Sequence, residues 1–69
     1  MVRVQKYRDV VRFLEAQGWL LVRRGKGSHE IWGDPNTGRR MSIPRHHEIS
    51  AGIMRQVIAE FPDSPDSWR

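Results

Sequence analysis

The 69 residues suffice for one domain and exclude a second. The absence of cysteine excludes disulfides and thiolate metal sites, and the longest apolar run, Trp19 to Val22, is too short to cross a bilayer. We therefore expect a soluble, cytoplasmic protein. The net charge is +4, and because residues 60 to 69 carry −2 the residues before them carry +6, an excess that favours binding to a polyanion such as nucleic acid.

An amphipathic helix is predicted over Lys6 to Gln17. From Tyr7 to Leu14 the apolar residues recur at positions i, i+3, i+4 and i+7, and charged residues occupy the other faces. Gly18 follows this pattern directly, and glycine at that place commonly adopts the positive φ that ends a helix.

Two strands joined by a glycine-rich turn follow the helix. Trp19 to Arg24 is rich in β-formers and too short for a second helix, so it predicts a first strand. Gly25 to Gly27 should reverse the chain into a second strand, about Ser28 to Gly33. Ile31 points to one face of that strand and Trp32 to the other, and the pattern does not decide which face is buried.

A second turn, a third strand and a last helix complete the prediction. Asp34 to Gly38 has the composition of a tight turn, and Arg39 to Pro44 alternates like a strand with one covered face. Ser50 is a plausible N-cap for a helix whose apolar residues repeat at helical spacing as far as Phe61. Pro62 should stop that helix.

The order helix, strand, strand, strand, helix predicts an α+β domain. Both apolar helix stripes should cover one face of a three-stranded antiparallel sheet. We assign residues 1–61 to this single domain and expect the polar tail, residues 62–69, to be mobile, although Trp68 could anchor it against the body or a partner.

The glycine-rich turn is the candidate functional site. A histidine side chain is suited to proton exchange, so His29 could accept a proton while Arg23, Arg24 and Lys26 attract a phosphate. The turn N–H groups can add an anion site, and the Ser28 hydroxyl could donate to a phosphate, although a turn serine more often bonds to the backbone. The combination suits RNA strand cleavage, and the alternative is a hairpin turn with a solvated histidine.

Several short blocks of sequence, in this order, resemble the HicA toxins of bacterial and archaeal toxin–antitoxin pairs. The resemblance runs from about Lys6 to Glu60. Its blocks are Asp9-Val10-Val11-Arg12-Phe13-Leu14, Gly18-Trp19, Val22-Arg23, Gly27-Ser28-His29, Ile43-Pro44-Arg45-His46, and Glu48-Ile49 with Gly52 before Arg55.

The resemblance implies a fold like the double-stranded RNA-binding domain, cleavage of mRNA, and a HicB-type antitoxin that covers the active site. The catalytic histidine of the family corresponds to His29. We expect no cofactor. The predicted substrate-binding residues are the cations and turn residues around this histidine: Arg23, Arg24, Lys26, Gly27, Ser28, Arg45 and His46.

The hypothesis is metal-independent cleavage in which His29 takes the proton of a ribose 2′-hydroxyl. The leaving oxygen also needs a proton, and the sequence does not choose between His46, Lys26 and water as its source.

Three other functions compete with this hypothesis. A zinc site would have to use His29, His46 and His47, but the adjacent pair cannot both reach one metal from a regular strand. A non-catalytic module of the same fold could bind RNA by its shape and 2′-hydroxyls. A pure protein-interaction module would use the tryptophans and the basic face only.

Overall fold

The computed structural model describes residues 1–69. Its elements in chain order are β1 (Gln5–Lys6), α1 (Tyr7–Ala16), β2 (Leu20–Arg24), β3 (His29–Gly33), β4 (Arg40–Pro44), β5 (Glu48–Ile49), α2 (Ala51–Glu60) and a closing 3₁₀ turn, Asp66–Trp68.

Helix α1 forms where the apolar periodicity predicts it. Val10 and Leu14 are fully buried on its inner face. Gly18 has φ of +85°, and the N–H of Trp19 donates to the carbonyl of Leu14 at 3.0 Å, which ends the helix and turns the chain into the sheet. The indole of Trp19 is buried in the core.

The central sheet is antiparallel in the order β2, β3, β4, and both helices cover one of its faces. In the register between β3 and β4, Trp32 lies opposite Met41 and Glu30 lies opposite Ile43. Trp32 and Ile43 pack with buried side chains of both helices, whereas Ile31 faces the other side and stays half-buried. The predicted α+β class, similar to the double-stranded RNA-binding domain, is confirmed.

Helix α2 begins at the predicted cap. The Ser50 Oγ accepts a hydrogen bond from the N–H of Ile53 at 3.4 Å, which satisfies one of the free donors of the first turn. Met54 and Val57 are fully buried beneath it, and Phe61 follows its last residue in the core.

A second, two-stranded ladder was not predicted. Gln5 pairs with Ile49 and Lys6 pairs with Glu48, so β1 and β5 lie antiparallel beside the start of α1. The N–H of Tyr7 then donates to the carbonyl of His47 at 3.0 Å. Strands of two residues are too short to show an alternating pattern, so the sequence carries no signal for them.

The carboxyl-terminal tail packs against the domain. Trp68 is 6% exposed, and its ring meets Phe13 of α1 edge-on with centroids 5.2 Å apart. The carbonyl of Trp68 accepts a hydrogen bond from the N–H of Arg3 at 3.1 Å, and the guanidinium of Arg69 donates to the carbonyl of Pro62 at 2.7 Å. These contacts place Trp68 against the body of the protein, the first of the two anchors considered for it.

Strand β2 lies at the edge of the central sheet and exposes an apolar patch. Leu20, Leu21 and Val22 are each at least 41% exposed, and the register shifts between Leu21 and Arg23. An edge strand offers unpaired backbone groups, and a contiguous apolar patch beside it is typical of a protein interface. Neither helix is long and apolar enough to cross a membrane.

We expect Trp68→Ala to lower the free energy of unfolding by about 3 kcal/mol, because it removes a large buried aromatic side chain. Urea denaturation followed by circular dichroism measures the change. Ser67→Ala is the matched control, since Ser67 is exposed in the same 3₁₀ turn and should shift stability by less than about 0.5 kcal/mol. Equal stability of the Trp68 and Ser67 variants would show that the tail does not pack.

Candidate functional site

The glycine-rich turn is closed by two backbone hydrogen bonds. The N–H of Gly25 donates to the carbonyl of His29 at 2.8 Å, and the N–H of His29 donates to the carbonyl of Lys26 at 3.1 Å. Gly27 has φ of +60°, a conformation that a side chain would strain. The turn therefore fixes the point at which β3 begins, and His29 is the first residue of that strand.

His29 lies on the sheet face that the helices leave uncovered. Its neighbour Glu30 points into the core, so the pleat of β3 directs the imidazole outward, and the ring is exposed. The Nδ1 atom lies 3.1 Å from the Oγ of Ser42 on β4. When Nδ1 carries the proton and donates to Ser42, the Nε2 atom keeps a free lone pair and can accept a proton from a ligand.

Ser28 ties the segment after β4 to the turn. Its Oγ lies 2.8 Å from the Nε2 of His46, and its carbonyl accepts a hydrogen bond from the N–H of Arg45 at 2.6 Å. The side chain of Ser28 thus contacts another side chain, whereas a turn serine more often bonds to the backbone. Two histidines far apart in the sequence are held on either side of one turn.

An open cavity of about 340 Å³ lies beside this turn. Its lining combines two guanidinium groups, an imidazole, a hydroxyl, a turn glycine and one carboxylate. The guanidinium groups and the hydroxyl can bind a phosphate, and the imidazole can move a proton. The residues are Arg24, Gly27, Ser28, His29, Glu30 and Arg45.

The predicted site residues are not all brought together. Arg24, Gly27, Ser28 and Arg45 line the cavity with His29. His46 lies next to it, through its hydrogen bond with Ser28.

Two predicted cations lie outside the cavity lining. Lys26 is exposed in the turn. Arg23 is paired across the sheet with Ile31, and its exposed side chain does not line the cavity.

Sequence reasoning missed two residues of the site, Ser42 and Glu30. Ser42 contacts His29 only because of the register between β3 and β4, which no local pattern reveals. Glu30 is 3% exposed, and its Oε1 atom accepts hydrogen bonds from the Tyr7 hydroxyl at 2.5 Å and from Trp32 Nε1 at 3.3 Å. Its one visible signal is a charged residue directly before the apolar pair Ile31 and Trp32.

The environment of Glu30 changes the acidity of Tyr7. Burial, together with the hydrogen bond to Glu30 and the negative charge of that carboxylate, raises the pKa of Tyr7 to about 12. Arg45 and Arg24 oppose this shift. The phenol therefore remains a hydrogen-bond donor at neutral pH and anchors α1 to the strand that carries His29.

The three histidines do not form a metal site. No group of three His, Cys, Asp or Glu side chains converges closely enough to hold a metal ion. The Nδ1 of His29 contacts Ser42 and the Nε2 of His46 contacts Ser28, so both rings have protein partners.

Comparison with known proteins identifies the family. A family model described as the HicA toxin of bacterial toxin–antitoxin systems matches residues 7–61, which is most of the chain. The chain belongs to the HicA toxin family. Searches of curated proteins and of solved structures give no match.

The HicA match covers the whole cavity and gives this protein a function in outline. Every cavity residue, from Arg24 to Arg45, lies within the matched segment, whereas the packed tail lies beyond it. The protein is thus a toxin of a bacterial toxin–antitoxin system.

We expect Tyr7→Phe to change how stability depends on alkaline pH. The folded state raises the pKa of Tyr7 from 10.0 to about 12, so this group stabilises the fold fully below pH 10 and loses that effect as pH rises through 12. As the pH rises through this range, the midpoint of urea denaturation should fall more steeply for the parent protein than for the variant. Tyr7 is the only tyrosine, so parallel pH profiles would contradict the assigned shift.

Proposed function

We propose that this HicA toxin is a metal-independent endoribonuclease that cleaves mRNA in the cytoplasm, with His29 as the general base. Membership of the family supports the toxin role. The observation that supports catalysis most directly is the exposed His29 ring, held by Ser42 at a cavity that Arg24 and Arg45 line.

The first step is proton transfer from a ribose 2′-hydroxyl to His29. The Nε2 atom accepts the proton while Nδ1 donates to Ser42, so the ring keeps its orientation as its charge changes. The 2′-oxygen then forms a bond to the adjacent phosphorus. The guanidinium groups of Arg24 and Arg45 stabilise the negative charge that grows on the phosphate oxygens.

The second step breaks the bond between phosphorus and the 5′-oxygen. That oxygen leaves with a proton, and we assign the proton to His46, because the Ser28 hydroxyl holds this ring beside the cavity. The products are a strand that ends in a 2′,3′-cyclic phosphate and a strand that begins with a 5′-hydroxyl. Lys26, an alternative donor from the sequence, is exposed, and no hydrogen bond ties its side chain to a residue that lines the cavity.

A HicB-type antitoxin is the partner that we propose to cover this site. Membership of the family supports the existence of an antitoxin partner, and the arginines of the cavity would attract an acidic surface on that partner. Strand β2 leads directly into the glycine-rich turn, so a protein seated on its exposed apolar residues would also reach His29.

The second candidate function is RNA binding without cleavage. The same fold with the same cations could hold RNA through phosphate and ribose contacts, and His29 would then be only one of those contacts. Cleavage and binding are separated by incubating the purified protein with RNA and with DNA, which lacks the 2′-hydroxyl. Fragments from RNA alone support the enzyme, and binding without fragments supports the module.

We expect His29→Ala to reduce RNA cleavage at least about 100-fold, because it removes the general base. The variant should keep its fold, since the ring is exposed, and circular dichroism verifies this. Gln56→Ala, which changes an exposed residue of α2, is the matched control and should cleave at the parental rate. A folded His29 variant with unchanged cleavage would remove the assignment.

We expect His46→Ala to slow cleavage of ordinary RNA about 100-fold. It should scarcely slow cleavage of RNA that carries sulfur in place of the leaving 5′-oxygen, because a thiolate leaves without a proton. Rates on both substrates, measured for the parent, His46→Ala and His29→Ala, test the role. Loss of rate on both substrates to the same extent in His46→Ala would show that His46 is not the acid.

A further inference from the structure

A second cavity, of about 430 Å³, lies next to the first and is more strongly basic. Lys6 and Arg8 contribute from the start of α1, and the segment after β4 contributes three consecutive basic residues. Tyr7 is the only hydrophobic residue of the lining. The full set is Lys6, Tyr7, Arg8, Arg45, His46 and His47.

The ladder between β1 and β5 builds this second cavity. It pairs Lys6 with Glu48, and the N–H of Tyr7 donates to the carbonyl of His47. These contacts bring the residues after β4 against the first turn of α1. The Tyr7 hydroxyl, bound to Glu30, fixes the floor of the cavity to the core. The backbone on both sides of the cavity is therefore held by hydrogen bonds.

No carboxylate forms an ion pair with the cations of this cavity. The single ion pair of the protein joins Arg39 to Glu60, so Lys6, Arg8 and Arg45 are all unpaired. Glu48 lies opposite Lys6 in the ladder, but it neither lines the cavity nor forms an ion pair. Unpaired cations that converge on a concave surface, with no acidic residue among them, are equipped to bind a phosphate.

Two features join the cavities. Arg45 lines both of them, and the hydrogen bond from Ser28 to His46 connects a wall of the first to a wall of the second. A strand of RNA bound at His29 would meet Arg45 and His46 before it reached Lys6 and Arg8. Because we assign His46 to the leaving 5′-oxygen, the nucleotides on its side are those that follow the cleaved bond.

We propose that the second cavity is a subsite for the RNA phosphate immediately 3′ to the cleaved phosphodiester. Lys6 and Arg8 bind that phosphate, and Arg45 bridges it to the phosphate under attack. This inference rests on the proposed function for the direction of the strand. It adds a binding role for the first turn of α1, which lies outside the glycine-rich turn.

The test compares dinucleotide substrates that differ only in a terminal phosphate. The protein is given an equimolar pool of dinucleoside monophosphates in three forms. One form has no terminal phosphate, one carries a 3′-terminal phosphate, and one carries a 5′-terminal phosphate. We expect the 3′-phosphate to lower KM about tenfold with little change in kcat, because it adds a charge-assisted contact in the ground state as well as in the transition state. The 5′-phosphate should have a much smaller effect.

The variants assign that effect to residues. Lys6→Ala combined with Arg8→Ala should lose the KM advantage of the 3′-phosphate and cleave the bare dinucleotides as the parent does. Arg12→Ala is the matched control, since Arg12 is an exposed cation of α1 that does not line the cavity, and it should keep the advantage. Equal effects of the two terminal phosphates, or a double variant that keeps the 3′ advantage, would overturn the subsite.

A binding measurement keeps the subsite testable if the protein does not cleave RNA. Affinity for a 2′-O-methyl RNA, which cannot be cut by this chemistry, is measured over a range of salt concentrations. We expect the double variant to reduce the slope of log K against log salt by about 0.7, the value for one lost phosphate contact on a single strand. An unchanged slope would contradict the subsite, whereas a reduced slope without any cleavage would contradict only the enzymatic proposal.

Discussion

The antiparallel register between β3 and β4 is the constraint on which the site depends. It pairs His29 with Pro44 and Ile31 with Ser42, so it brings the Ser42 hydroxyl to the imidazole and returns the chain beside Ser28. A shift of one residue would exchange the two faces of β3, turning His29 toward the helices and Glu30 outward. Burial of Trp32 prevents this shift, because the indole would lose its place in the core. Packing of the core thus sets the geometry of the exposed site.

Glu30 connects the core to the site, and hydrogen bonds from its neighbours offset the free-energy cost of burying its carboxylate. A buried carboxylate is unfavourable unless donors satisfy it, and here the hydroxyl of Tyr7 and the indole N–H of Trp32 both donate to it. The same contact holds the start of α1 against β3. The two basic cavities, one beside the glycine-rich turn and one beside α1, therefore keep a fixed relation to each other across a shared Arg45.

Local signals in the sequence were enough to predict most of the fold. Apolar periodicity located α1 and α2 to within a few residues, Gly18 ended the first helix, and Ser50 began the second. The reversal at the glycine-rich turn also followed from local composition, and the resemblance to HicA toxins agrees with the family match. The exposure of His29 did not follow from the sequence, because the pattern of β3 left open which face of the strand is buried. The contacts that complete the site could not be predicted, because they join residues distant in sequence. Ser42 reaches His29 through strand register, His46 reaches Ser28 across 18 positions, and the two-residue ladder that forms the second cavity carries no periodic signal.

The chemistry that joins these features is attack by a ribose 2′-hydroxyl on its own phosphodiester, and the ends of the RNA fragments report on it directly. Mass spectrometry of fragments formed early in the reaction, in the presence of a metal chelator, identifies those ends. Our account predicts 2′,3′-cyclic phosphates on the upstream fragments and 5′-hydroxyls on the downstream ones. Upstream fragments that end in a 3′-hydroxyl, with 5′-phosphates on their partners, would contradict it, because water and not the ribose would then have attacked the phosphorus.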